Sequence, residues 1–452
     1  MKTNVKINKV SPMKTEMSTY EKAERSLMTC LLWEDNFYED GESIVERLKS
    51  YVPKLSEDEC RTLLTMAKKD NKLKHAPLLW ALCMLKRGFL KPEDVFMVAD
   101  RVDFMAEMLN MYWTDENNKH SVPKALKKGL AQSLKRFDAY QLAKWKGKGN
   151  QVSLKDVISI VRPVPENDEQ SKLWKQALDN TLPTPDTWEV ALSAGKDKKE
   201  TWTRLLKENK LGAMALLKNL RNFEEAKVSN DVVNDAIANM KTGRILPTQF
   251  ITAKRYCKDE YIKALEKKML ETVQSFDKLP GKTLVMVDAS GSMSASLSNR
   301  GETTRIDAAF GLAMLLKEIC EDSVTYLFDT SCEKIGSHHS GFSYIDVCNE
   351  VFRNQLGGGT NVEACTNRCM KKFAESHDGQ APDRIIVLTD EATGSGSWYS
   401  DEKLKSLTNK QHGYIINLAP YEKGVEMNNG WTRINGWSEN IIKYIQASEK
   451  KD

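Results

Sequence analysis

The chain has no uninterrupted apolar run of the roughly 18 residues that a membrane-spanning helix needs. Its polar start, Met1-Lys-Thr-Asn-Val-Lys6, offers no charged-then-apolar leader. The protein is therefore expected to stay in the cytoplasm and to have no membrane partner. It also lacks a CxxC pair and any Cys–His spacing suited to zinc. The nine cysteines, at 30, 60, 83, 257, 320, 332, 348, 365 and 369, are odd in number, scattered and set in apolar patterns, which excludes a disulfide framework and fits a reducing compartment. Cys365 and Cys369, one helical turn apart, read as buried thiols.

What is present is an ordinary globular composition, 40% hydrophobic and 29% charged, in 452 residues, too many for one compact core. The net charge of +4 hides an asymmetry. Residues 1–280 carry 49 Lys+Arg against 40 Asp+Glu, whereas residues 281–452 carry 18 against 23. The first segment is helical in period almost throughout. Ser56 and Glu59 form a capping-box pattern before a face of Cys60, Leu63, Leu64 and Ala67. Pro77–Leu85 is apolar nearly all round, and Val98, Val102, Met105, Leu109 and Tyr112 mark a further stripe. Stripes recur through 126–142, 202–206, 213–223 and 262–273, the pattern of stacked antiparallel helical pairs, an α-solenoid.

After Lys278-Leu-Pro-Gly281 the rhythm changes. Apolar runs at 283–287, 324–328, 384–388 and 414–418 alternate with helical stretches at 307–319 and 362–373, the order of a parallel sheet with helices on both faces. Ligands of such sheets gather at the carboxyl ends of the strands. The first run empties into Asp288-Ala-Ser-Gly-Ser292, which puts three hard oxygen donors, Asp288, Ser290 and Ser292, at alternate positions. Thr360 follows three glycines, and Asp390 ends the run 384–388. These three loops, in this order, resemble the metal-ion-dependent adhesion site of the von Willebrand factor A fold. By that resemblance Ser290, Ser292 and Thr360 bind a divalent cation, Mg²⁺ by its hard donors, through hydroxyls, with Asp288 and Asp390 acting directly or through water. An acidic ligand from outside would complete the shell. No general base accompanies the loops: His338 and His339 fall in a polar loop, and Glu391 reads as a helix-start acid.

Between Lys119 and Arg162 stand Lys119, Lys124, Lys127, Lys128, Lys135, Arg136, Lys144, Lys146, Lys148, Lys155 and Arg162, opposed only by Asp138 and Asp156. Phe137, Tyr140 and Trp145 are interleaved. Such a stretch suits phosphates, with rings available to unpaired bases, and RNA fits it better than duplex DNA.

Leu31-Leu-Trp-Glu-Asp-Asn-Phe-Tyr-Glu-Asp-Gly41, His75-Ala-Pro-Leu-Leu-Trp80, Arg101-Val-Asp-Phe-Met-Ala-Glu107, Leu126-Lys-Lys-Gly-Leu130, Phe137-Asp-Ala-Tyr-Gln-Leu-Ala-Lys144, Asp156-Val-Ile-Ser-Ile-Val-Arg-Pro163 and Met214-Ala-Leu-Leu-Lys-Asn-Leu220 resemble the TROVE module of the Ro autoantigen family. The resemblance implies a ring of HEAT-like helical repeats over 1–280, closed by an α/β von Willebrand factor A domain, Rossmann-like, over 281–452. It further implies small structured Y-like RNAs on a basic outer surface, single-stranded 3′ ends of misfolded RNA in a central hole, and cooperation with a 3′-to-5′ exoribonuclease. Lys144 and Lys148 match the family's RNA-contacting stretch; Arg162 stands where relatives often carry His, and keeps a donor and a cation. The resulting expectation is a non-enzymatic RNA-binding scaffold serving RNA quality control or decay, with RNA contacts from Lys124, Lys127, Lys128, Lys135, Arg136, Lys144, Lys146, Lys148 and Arg162. The rival is an adaptor whose metal site captures an acidic group on a protein.

Overall fold

The computed structural model describes residues 18–29, 41–71, 73–115, 121–145, 152–195, 197–242, 245, 247–274, 276–297, 303–391, 403–408, 410–418, 426–427, 429–435 and 440–450. The motif at 31–40 and the cations Lys119, Lys146 and Lys148 lie outside them. The chain divides near Thr272/Val273 into a helical unit and an α/β unit.

In the helical unit the local signals act as the sequence dictates. Ser56 and Glu59 close a capping box at the start of Glu57–Thr65, with Ser56 N donating to Glu59 Oε2 at 2.8 Å. Ala76–Lys86 is buried from Ala76 through Met84, and its Trp80 indole donates to Cys60 O at 2.9 Å, so the buried ring nitrogen is satisfied. Three stripes prove to be broken, the one at 213–223 falling into Ala213–Lys218 and Leu220–Glu225 on either side of Asn219. Val98 ends Pro92–Val98, whereas Val102 opens Val102–Asp115, because Ala99 leaves the helical region at φ −85°, ψ 56°. The stripe at 126–142 is likewise two helices, Lys124–Leu134 and Ala139–Lys144, the second capped afresh by Asp138 accepting from Gln141 N at 2.7 Å.

Gly129 seats Lys124–Leu134 on Pro92–Val98. A Cβ there would lie 2.3 Å from Val95 Cβ and 2.6 Å from Pro92 O, well inside contact distance. Gly129→Ala is expected to lower unfolding stability by about 1–3 kcal/mol, despite the better helix propensity of alanine. A urea titration that shows equal or greater stability would contradict this packing.

The α/β unit contains β1 (Leu279–Asp288), β2 (Cys320–Phe328), β3 (Cys332–Lys334), β4 (Arg384–Thr389), β5 (Lys403–Leu404), β6 (His412–Asn417), β7 (Glu426–Met427) and β8 (Trp431–Asn435). Six form one sheet in the order β3-β2-β1-β4-β6-β8, parallel except for the β2–β3 pair; β5 and β7 form a separate parallel pair. Helices Arg305–Ile319, Gly341–Gln355, Val362–Ser376 and Asn440–Glu449 accompany the sheet. The central strands are buried, and Leu284, Met286, Ile385, Val387 and Ile415 pack with Cys365, Cys369 and Phe373 on one face. Cys365 and Cys369 are thus fully buried free thiols. The fold class read from the sequence, helical repeats joined to an A-type α/β domain, is present. The chain runs from β1 to β2 on one side and then returns to β4 on the other, so the strand order reverses between β1 and β4. Asp288 and Asp390 sit at that crevice.

Candidate metal centre and basic helical surface

Asp288 closes β1 and is fully buried. Its Oδ1 accepts from Ser290 N at 2.9 Å and its Oδ2 from the Thr389 hydroxyl at 2.6 Å. Ser290 Oγ and Ser292 Oγ are 3.1 Å apart, and Ser292 Oγ donates to Asp390 Oδ1 at 3.1 Å. Thr360 is 5% exposed in a loop tied to the serines: Gly291 N donates to Gly358 O at 3.1 Å, and a Cβ on Gly291 would meet Gly357 O at 3.1 Å. Gly357 itself has φ 112°, a conformation open to glycine. The loop is anchored by Asp329 after β2, whose Oδ2 accepts from Gly358 N at 3.1 Å and Oδ1 from Ser331 N at 2.7 Å.

The donor set suits a small hard cation. For metal–oxygen bonds near 2.1 Å, the edge of an octahedron is about 3 Å, the spacing found from Ser290 Oγ to Ser292 Oγ and on to Asp390 Oδ1. Among the described residues no group of three or more His, Cys, Asp or Glu is arranged to hold a metal, so the candidate centre consists of hydroxyls with two carboxylates. Burial pushes the Asp288 carboxyl up to about 6 and the Asp390 charge adds to that; hydrogen bonds from Thr389 and Ser290 oppose it. A carboxylate in that state gains from a dication.

Two acids at this end carry their own cations. Arg305 Nη1 reaches Asp390 Oδ2 at 2.7 Å, with Asp390 fully buried and the Arg305 side chain 10% exposed. Glu391 is fully buried with φ 49°, and its Oε1 accepts from Arg433 Nε at 2.9 Å. The acid read from the sequence as a helix-start residue is thus buried, with left-handed backbone and an arginine from β8 as its partner.

In the helical unit, Lys124, Lys127 and Lys128 share an arc of the helix Lys124–Leu134 whose opposite face buries Leu126, Leu130 and Leu134. No acid stands in its first turn, although folding alone favours one there. Lys144 lies 5.7 Å from the ring centre of Tyr140 and 5.6 Å from that of Trp145, while the Arg101 guanidinium covers Trp145 at 4.4 Å. Tyr140 and Trp145 are 43% and 37% exposed. Arg162 ends the helix Leu154–Val161 in the left-handed region, at φ 47°, ψ 62°, with its side chain exposed. Lys124, Lys127, Lys128, Lys144 and Arg162 have no carboxylate within ion-pair distance among the described residues. Lys135 differs, pairing with Glu166 at 3.1 Å. Arg136 is folded inward, donating to Phe96 O at 2.6 Å and lying 3.5 Å over the Phe96 ring. Asp138 and Asp156, the two acids of the stretch, both serve as caps.

Residues 180–310 match the TROVE domain. The crystal structure of the Deinococcus radiodurans Ro (RSR) protein is similar in fold over 95% of this chain and 99% of that one, with a TM-score of 0.65 and 15% identity. No curated protein matches. The domain match is a similarity to the TROVE family over that span, and the shared structure is a likeness of fold. The TROVE match includes Asp288, Ser290, Ser292 and Arg305 and stops short of the lysine-bearing helix, which lies upstream. Among the described residues, no helix is long and apolar enough to cross a membrane.

Sequence reading missed Arg305, Asp329, Arg433 and Thr389 at the metal centre and Arg101 at the Trp145 cluster. Thr389 alone had a signal, because it precedes Asp390 at the end of β4 and its side chain must point to the opposite side of the sheet strand from Leu388.

Proposed function

We propose that the protein is a Ro-type RNA-binding scaffold, with Lys124, Lys127, Lys128, Lys144 and Arg162 holding phosphates and Tyr140 and Trp145 stacking on unpaired bases. The observation that carries this reading is a set of cations without carboxylate partners among the described residues, exposed but for half-buried Lys127, joined to two exposed rings already engaged by cations. Lys135 and Arg136 belong to the same stretch but are held by Glu166 and Phe96, so they contribute less. Small structured Y-like RNAs are the proposed principal ligand and single-stranded 3′ ends of misfolded RNA the second. Binding without chemistry, in the cytoplasm and alongside a 3′-to-5′ exoribonuclease, would place the protein in RNA quality control.

The α/β unit would hold Mg²⁺ through Ser290, Ser292 and Thr360, with Asp288 and Asp390 as the charged donors. The ion would supply a positive charge open to an acidic ligand; the serine and threonine hydroxyls orient it, and buried Asp288 fixes the Ser290 backbone. RNA binding and metal binding then lie on separate side chains. Asp288→Ala is accordingly expected to leave the RNA dissociation constant within about threefold, while log K falls with log[salt] at a slope near −0.7 to −0.9 per phosphate contact. Electrophoretic mobility shifts with a hairpin RNA at several salt concentrations measure both. RNA binding without salt dependence, or lost in Asp288→Ala, would favour the adaptor reading.

A further inference from the structure

We propose that Arg305 is a built-in competitor of the divalent cation, holding Asp390 in the metal-free protein and setting how tightly the centre takes the ion. The inference rests on the metal reading above. Asp288, Asp390 and Asp329 are each 5% exposed or less, and they converge on the serine and glycine loops. Buried carboxylates need compensation. Glu391 has Arg433; Asp390 has Arg305.

Arg305 is placed there by the backbone rather than by a flexible surface arm. It is the first residue of Arg305–Ile319, capped by Thr304 in a box with Asp307, and its own N–H donates to Ala295 O at 3.0 Å. Ser296 and Thr304 form a bridge beside it. The helix start is thereby tied to the end of the serine loop. From that position Nη1 contacts Asp390 Oδ2 at 2.7 Å and Ser292 O at 3.4 Å. The other oxygen of Asp390 faces Ser292 Oγ. A dication among these oxygens would therefore share Asp390 with a fixed unit charge that repels it, in a buried setting where such repulsion is weakly screened. The guanidinium keeps the empty centre neutral enough to fold, and it weakens the full one.

The test is Mn²⁺ binding to the full chain, followed by the electron paramagnetic resonance signal of free Mn²⁺ and by displacement with Mg²⁺. Arg305→Gln keeps a donor toward Asp390 but removes the charge; it is expected to bind Mn²⁺ about tenfold more tightly or better, whereas Arg305→Lys, which keeps the charge, stays within about threefold of the parent. Asp288→Ala added to each should abolish binding, which fixes the site. Should Arg305→Gln need Mn²⁺ to fold, recovery of folded protein by the ion alone supports the same conclusion. Folding in neither condition overturns it, because the ion then cannot replace the guanidinium. If the parent binds Mn²⁺ and Arg305→Gln binds equally or more weakly, Arg305 is an orienting residue and this proposal fails alone. If neither binds, the metal reading itself fails.

Discussion

Replacing Lys124, Lys128, Lys144 and Arg162 together with glutamine is expected to weaken binding of a structured RNA by on the order of a thousandfold at 0.15 M salt, and to flatten the salt slope by about three to four units. The magnitude follows from counterion release. Each lost phosphate contact removes about 0.9 from the slope, which at that salt is worth roughly a factor of five in affinity. Stability should change little, because these side chains are exposed and have no carboxylate partner among the described residues, and exposed substitutions usually stay within about 0.5 kcal/mol. Trp145→Ala should add a separate, salt-independent loss of about 1–3 kcal/mol for a ligand with an unpaired end. Mobility shifts from 0.05 to 0.3 M salt, with far-ultraviolet circular dichroism as the folding control, give the answer. Unchanged affinity in the fourfold variant would place the RNA elsewhere or remove it.

The parts of this design that sequence reveals are those governed by near neighbours in the chain. β1, β2, β4 and β6 are legible because a parallel strand buried on both faces must read as a continuous apolar run. β8, Trp-Thr-Arg-Ile-Asn, escapes because it lies at the sheet edge and mixes polar residues. The same division runs through the metal centre. Asp288, Ser290, Ser292 and Asp390 announce themselves by following strands. Arg305 does not, because 85 residues separate it from Asp390 and at a helix start it reads as a solvated cation. Lys128 and Lys135 look alike in the sequence; only the fold brings Glu166 to one of them.

Asp288→Asn is expected to abolish divalent binding and, in the absence of metal, to make the protein more stable at neutral pH. Burial raises the carboxyl from 3.8 to about 6, with the neighbouring Asp390 charge acting in the same direction. The folded state therefore holds this proton more tightly than the unfolded state does. Its favourable contribution is fully present below about pH 4 and is lost as the pH rises through 6, leaving a cost of about 3 kcal/mol in the metal-free wild type at pH 7. Asparagine carries no such cost, and its amide can still accept from Ser290 N and donate to Thr389 Oγ1, the partners of the present carboxylate. In EDTA the stability gap between variant and wild type should then be small at pH 4 and grow to about 3 kcal/mol above pH 6.5. Mg²⁺ should close that gap from the wild-type side alone, since only the carboxylate gains from the ion. Urea unfolding at the two pH values, with EDTA or with Mg²⁺, separates these effects. A gap that is the same at both pH values would mean that Asp288 is already compensated in the folded protein, and that the centre has no electrostatic need for a cation.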